Sequence, residues 1–407
     1  MLMLHTSDWH AGRTTYNRPR TADLDDALNE IIGIARASRP DVIVNSGDLI
    51  DHVRVGHAEV ERVVDALVEL AAIAPTVVVA GNHDSFSLLR SFNQLSRHLN
   101  LHFISAPLGR SRDHLVIPGR DGNSMRLGAL PFVYAQRGID VFDDPRTWAG
   151  NYRGRVAAIQ SEIVTNLTAN LGPSEVTLFT AHLHVTNARL SKTERAGHIT
   201  DDYATTTEAM LGVDYAAFGH IHEAQPLPGN VSGGYAGSPI PLDFGEKDQT
   251  KYVTLVNLEP GRPATVKPIE LRGGRKLITF SGTFEELQRR ADAIGDALCL
   301  VTVATPTHDP ALAQRVHDLL GAATVLDVVQ HAADTKLSGL VVEPGTTAVQ
   351  RSVMASFTSY LAERGTRTAS ADTVSALMAE FLAADDEDRD PCFPIEELLT
   401  SHAGDHA

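Results

Sequence analysis

Asp8-Trp9-His10, Gly47-Asp48, Gly81-Asn82-His83-Asp84, His182 and Gly219-His220-Ile221-His222 follow one another along the chain. Their side chains make a ligand set for hard-to-borderline cations. Carboxylate, imidazole and amide oxygen suit Mn²⁺, Fe²⁺ or Zn²⁺, and the absence of cysteine from the set argues against a soft-metal site. One carboxylate can bridge two cations, and Asp48, midway through the order, is assigned the bridge. Two metals ~3.5–4 Å apart would polarise a phosphoryl oxygen and activate water for in-line attack. His83 follows Asn82 directly, so it is expected beside the metals without binding them, as the general acid for the leaving oxygen, oriented by the adjacent Asp84. A lone Asp-x-His or His-x-His says little. Five groups in this order are hard to explain as core or solvated surface.

Something must carry these groups to one place. Each stands at or just past the end of a short apolar run that reads as a strand: Met1 to Thr6, Val42 to Asn45, Val77 to Ala80, Val176 to Thr180 and Tyr215 to Phe218. Between the first runs, Asp23 to Ala37, Ala58 to Ala72 and Leu88 to His98 have helical spacing, so the N-terminal half alternates strand and helix. The second half is strand-rich. Turn residues gather at Glu259-Pro260-Gly261-Arg262-Pro263 and at Arg272-Gly273-Gly274-Arg275, marking a boundary. A βαβαβ module is expected beyond it: strand Lys276 to Phe280, helix Thr283 to Ala293 with a capping box of Thr283 and Glu286, strand Leu298 to Ala304, helix Pro310 to Leu320, strand Ala323 to Val329. Val349, Val353, Phe357, Tyr360 and Leu361 form one apolar helical stripe, and Val374, Leu377, Met378, Phe381 and Leu382 a second. The acidic stretch from Ala384 to Asp390 opens a tail expected to lack structure apart from a short Phe393 to Leu399 piece.

At the ligand motifs the chain resembles the calcineurin-like metallophosphoesterase superfamily, and within it the bacterial SbcD nuclease subunits. The narrower likeness rests on Leu4-His5-Thr6-Ser7-Asp8-Trp9-His10, on Ala217-Phe218-Gly219-His220-Ile221-His222, on Tyr235-Ala236-Gly237-Ser238-Pro239-Ile240-Pro241-Leu242, and on Lys251-Tyr252-Val253. The resemblance implies an α/β fold, a two-sheet αββα sandwich over residues 1–270, with a small α/β cap at 275–335, an amphipathic helix pair at 346–384 and an acidic tail at 385–407. It implies a first metal held by Asp8, His10, Asp48 and His222 and a second held by Asp48, Asn82, His182 and His220, with Mn²⁺ as the cofactor. It also implies double-strand exonuclease and hairpin or single-strand endonuclease activity on DNA. The partner would be an SbcC-like coiled-coil ATPase docked on the C-terminal helices, with two copies of this chain in a heterotetramer. One position departs from the pattern. Archaeal and eukaryotic relatives carry a histidine three residues after the bridging aspartate, where this chain has Asp51 and then His52. His52 is a candidate substrate contact, and His184 lies on the same strand face as His182.

Composition bounds the reading. With 407 residues and 43% apolar content the chain can bury a large core and divides into two or three units. Its cysteines, Cys299 and Cys392, stand far apart and imply no disulfide framework, as expected of a cytoplasmic protein. There is no signal-like segment, no apolar stretch long enough to cross a membrane and no Gly-x-x-x-x-Gly-Lys-Ser/Thr loop, so ATP hydrolysis is assigned to a partner. The net charge of −16 repels a polyanion at long range. Metal cations offset this locally. Arg13, Arg18 and Arg20, and Arg189, Lys192 and Arg195, are candidates to touch phosphates, while a partner supplies most of the DNA affinity. Two other functions fit the same ligands: a stand-alone phosphoesterase acting on small nucleotides or phosphoproteins, and a scaffold anchoring an ATPase at DNA ends.

Overall fold

The computed structural model describes residues 1–96, 98–111, 113–134, 152–191, 204–332 and 374–380. Two six-stranded sheets form its centre. The first runs, in spatial order, Thr265–Glu270, Tyr252–Asn257, Leu2–Thr6, Val42–Asn45, Thr76–Val79 and Leu101–Ile104. The second runs Gln225–Pro226, Gly233–Tyr235, Tyr215–Gly219, Glu175–His182, Ser124–Leu130 and Leu115–Pro118. Side chains alternate across a strand, and the central strands of both sheets are apolar on both faces. Met3, Val42, Val44, Val77 and Val79 point between the sheets and meet Met125, Leu127, Leu178 and Ala217. Their neighbours along the strands, Leu4, Ile43 and Val78, point outward onto the helices Thr21–Ser38 and His57–Ile73. Phe179, Ala181, Ala216 and Phe218 do the same for the helix Tyr152–Thr168 on the far side. The result is an αββα sandwich.

The five expected strands and the first helices lie within a few residues of their expected bounds. The helix expected to reach His98 spans Phe86–Leu95. It stops because the Ser96 hydroxyl turns back to donate to the Leu101 carbonyl at 3.0 Å, at the start of the next strand.

The strands that carry ligands run parallel within each sheet, Leu2–Thr6 with Val42–Asn45 and Thr76–Val79, and Glu175–His182 with Tyr215–Gly219. Their carboxyl ends therefore open on one edge, with Thr6 beside Asn45 and His182 beside Gly219.

Residues 277–332 form a parallel three-stranded sheet, Leu277–Thr283, Leu298–Thr305 and Thr324–Ala332, with helices Phe284–Ile294 and Leu312–Leu319. They pack their own core of Phe280, Leu287, Cys299, Val301 and Val316. The Thr283–Glu286 capping box is present. The turn before this module is pinned to the first helix: Arg275 meets Asp23 at 2.9 Å, and the Arg272 and Gly273 N–H groups each donate to Glu30 at 2.8 Å. Core sandwich and module lie in one compact unit, Met1–Asp334.

Arg20 corrects one expectation. It is buried, paired with Asp23 at 2.7 Å and donating to the Pro241 carbonyl at 2.8 Å, so it holds this junction and does not reach out to phosphates. Of the second expected C-terminal helix, residues 374–380 are helical. The stripe from Val349 to Leu361, Phe381, Leu382, Cys392, the tail, Lys192 and Arg195 lie outside the described residues. No helix among the described residues is long and apolar enough to cross a membrane.

Candidate metal centre

Tight backbone turns bring the loops together. Asp8 N–H donates to the Gly47 carbonyl at 2.9 Å, and His10 N–H to the Asp48 carbonyl at 3.0 Å. Across the two sheets, His220 N–H reaches Asp8 Oδ1 at 3.1 Å, and between neighbouring loops of the first sheet His83 N–H reaches Asp48 Oδ1 at 2.8 Å. The closeness explains the glycines. A Cβ on Gly81 would collide with the Asp48 carboxylate, and one on Gly219 with the Ser7 hydroxyl and the Ser46 carbonyl. Asp8, His10, Asp48 and His220 all adopt positive φ, at 53°, 48°, 53° and 97°. Such backbone costs of order 1–3 kcal/mol per residue and persists where the surroundings impose it, often at functional sites.

The donor set has the arrangement of a cation site. His182 Nδ1 lies 2.7 Å from the Ser46 carbonyl, which can only accept, so Nδ1 carries the proton and Nε2 presents its lone pair. That lone pair faces Asn82 Oδ1 at 3.0 Å and Asp48 Oδ2 at 3.3 Å. His220 Nδ1 joins them, 2.9 Å from Asn82 Oδ1 and 3.3 Å from His182 Nε2. By the same logic His222 Nδ1 donates to Glu246 Oε1 at 3.0 Å, which turns the Nε2 lone pair inward, 3.2 Å from His10 Nε2. His10 Nε2 in turn stands 3.6 Å from Asp48 Oδ2. Ligand atoms of Asp8, His10 and His222, and of Asp8, Asp48 and His182, lie within 4.8 Å of one another, all on buried residues. Lone pairs crowded this way repel unless a proton or a cation sits among them, so the residues fit two divalent ions. Asp8 belongs to both groups, and Asp48 Oδ2 stands within 3.6 Å of an imidazole of each, His10 and His182.

Protons do part of that work in the cation-free protein. Burial opposes charge on His182, but the Asp48 carboxylate overrides it and holds the imidazole up at about 9. Burial likewise resists ionisation of Asp48, and the charges of His182 and His83 keep it well below the usual carboxylate range. For His220, burial and then the charge of His182 push the pKa far down.

His83 stands beside the ligands, its Nε2 4.0 Å from Asp48 Oδ2 and its ring 4.7 Å from that of His10. Its Nδ1 is held by the Asp51 main-chain carbonyl. The expectation that Asp84 orients it is corrected. Asp84 instead accepts the N–H groups of Gly81, Asp48, Leu49 and Ile50 at 2.8, 2.9, 2.9 and 3.3 Å, clasping the two ligand loops together. Burial and the Asp48 charge raise its carboxyl to about 7.

Of the candidate substrate contacts, Arg13 is half-buried, 3.3 Å from Asp51 Oδ1, which also lies 3.3 Å from His10 Nδ1. His52 is exposed on the following turn. Arg189 is exposed and paired with Glu223 at 2.9 Å, next to His222. His184 is buried in the strand-end loop beyond His182. The motifs did not disclose Glu246, Ser46, the role of Asp51, or Phe132, whose ring lies 5.7 Å from that of His220. A carboxylate that serves a ligand from behind has no fixed spacing to it in sequence.

The sequence profile of the Calcineurin-like phosphoesterase family matches residues 1–224. The chain is 27% identical over 287 residues to the SbcD subunit of the SbcCD nuclease of Bacillus subtilis (strain 168), covering 69% of this chain and 72% of that one. It is 30% identical over 295 residues to the SbcD subunit of the Escherichia coli (strain K12) SbcCD nuclease, covering 69% and 71%. The corresponding SbcD protein of Rhodobacter capsulatus is 28% identical over 275 residues, covering 64% and 67%.

Proposed function

Because this chain belongs to the calcineurin-like phosphoesterase family, in company with the SbcD nuclease subunits, we propose that it hydrolyses DNA phosphodiesters with a pair of Mn²⁺ ions. The observation that carries this is the convergence of Asp8, His10, Asp48, Asn82, His182, His220 and His222, drawn from five strand ends, on one buried cluster. Asp8, His10, Asp48 and His222 would hold one cation, and Asp48, Asn82, His182 and His220 the other. When bound, such a pair supplies charge stabilisation and nucleophile activation for in-line attack on a phosphodiester.

The chain's own residues do the rest. With Nδ1 held by the Asp51 carbonyl, His83 offers Nε2 to the cleft. There it can give a proton to the leaving oxygen, a contribution of roughly 10²–10⁴-fold. We assign Arg13, held by Asp51, to a substrate phosphate, and the exposed His52 and Arg189 to further substrate contacts.

The substrate is duplex DNA at ends, degraded as an exonuclease, and hairpins or single strands, cut as an endonuclease, in end processing, repair and recombination. An SbcC-type ATPase, docked on the C-terminal helices, supplies the DNA affinity that a chain of net charge −16 lacks. The complex would hold two copies of both proteins and work in the cytoplasm. Co-purification from native extract tests the partnership. Recovery of a large coiled-coil ATPase supports it, and a protein that runs alone and prefers small nucleotides contradicts it.

A further inference from the structure

A buried ion pair behind the centre lies in none of the ligand motifs. Glu246, at the end of the short turn Phe244–Glu246, is fully buried, and Lys251 is 5% exposed just before the strand Tyr252–Asn257. Lys251 Nζ donates to Glu246 Oε2 at 2.6 Å, to Ser238 Oγ at 2.8 Å, and to the His222 carbonyl and Gln249 Oε1 at 3.0 Å. Glu246 Oε1 accepts the His222 Nδ1 proton at 3.0 Å, and its Oε2 accepts the Leu242 N–H at 3.1 Å. Removing two opposite charges from water is expensive, and apolar residues of similar volume often hold a fold as well. The pair therefore calls for a use besides stability. Its contact with His222 supplies one, because an imidazole whose far N–H meets a carboxylate is fixed in tautomer and orientation and donates more strongly to a cation. The lysine also clamps the main chain of His222, so one ammonium steadies both ends of that ligand.

The other half of the centre is backed more weakly. His182 leans on a neutral carbonyl, that of Ser46. Asn82 carries no charge, and His220 Nε2 is buried without an acceptor among the described residues. On the favoured side, His10 Nδ1 lies 3.3 Å from a second carboxylate, Asp51, without the geometry of a hydrogen bond. Among the described residues, His222 is thus hydrogen-bonded from behind by a carboxylate, and neither imidazole beside Asn82 is.

We propose that Glu246, held by Lys251, is a positioning residue that makes the Asp8–His10–His222 half of the centre the tighter one, filled first. This rests on the two-metal reading above and adds an order to it. The test is a Mn²⁺ titration of the metal-free full-length protein, followed by electron paramagnetic resonance and elemental analysis. The wild type should load in two stages, an isolated ion first and a spin-coupled pair second. Glu246→Gln keeps the size and removes the charge, and should weaken the first stage by roughly 10–100-fold. His220→Ala should leave the first stage unchanged and abolish the second. A wild type that binds both ions in a single stage of one affinity overturns the proposal, even if Glu246→Gln does not fold, and so does Glu246→Gln that titrates like the wild type. A wild type that binds no Mn²⁺ removes the two-metal reading itself, which separates that failure from this one.

Discussion

Each ligand imidazole at this centre must present one unprotonated nitrogen inward, and the atom behind it decides which nitrogen that is. At His182 this is the Ser46 carbonyl and at His222 the Glu246 carboxylate. Since Asp48 holds the His182 pKa up at about 9, the cation-free protein carries a proton there at neutral pH. A bound cation needs that position, so loading must expel the proton, and affinity for Mn²⁺ should rise by about tenfold per pH unit from 7 toward 9. Calorimetry in buffers of different ionisation enthalpy measures the release, and loading without release contradicts this protonation state. His83→Ala should keep both metals and lose roughly 10²–10⁴-fold in rate, whereas Asp48→Ala should lose at least one ion. Elemental analysis beside kinetics separates the two, and the reverse pattern would mean the roles are exchanged. That the proposed ligands lie together, with His83 beside them, was legible in sequence because their types and strand-end positions repeat a chemical need. The role of Asp84 was not: adjacency to His83 suggested a partner, while four backbone N–H groups of the ligand loops claim its oxygens.

Among the elements, the strands were the easiest to read, since Val42–Asn45 and Thr76–Val79 are buried on both faces and show as continuous apolar runs. What the runs could not convey is which strands neighbour one another, for Leu2–Thr6 pairs with Tyr252–Asn257, some 250 residues away. The turn at Arg272 to Arg275 lies between the strands Thr265–Glu270 and Leu277–Thr283, and its role as an anchor depends on Asp23 from the first helix. Burial opposes ionisation of Asp23, yet the hydrogen bonds of Arg275 and then Arg20 hold its pKa at about 2, below the ordinary 3.8. The resulting stability is fully present above the ordinary value and is lost as pH falls toward 2. Arg275→Ala removes charge-assisted hydrogen bonds worth about 1.5–3 kcal/mol and should shrink the loss of stability between about pH 4 and 2. Urea unfolding at pH 3 and pH 6 checks this; a variant as stable as wild type at both values would show that the junction carries little.

For the whole molecule, the proposed ligands end at His222, well before the helical residues 374–380. A truncation near Gly345 should therefore leave hydrolysis of a small chromogenic phosphodiester almost unchanged while abolishing co-purification with the ATPase and ATP-stimulated DNA cleavage. Leu377→Asp should reproduce the loss through an unpaired charge in the apolar seam. Loss of small-substrate turnover on truncation would instead assign the helices to the core. The acidic balance of the chain, plain in composition, predicts weak duplex binding by the isolated protein, but composition cannot reveal what surface a partner covers. The central claim is that this chain cleaves phosphodiesters through a metal pair at its strand ends, and the most direct measurement is turnover of bis(p-nitrophenyl) phosphate by metal-stripped protein before and after Mn²⁺ is restored. No turnover is expected after stripping, with recovery that reaches its plateau at two bound ions per chain. Full turnover in the stripped protein, or a plateau at a single ion, would contradict the claim.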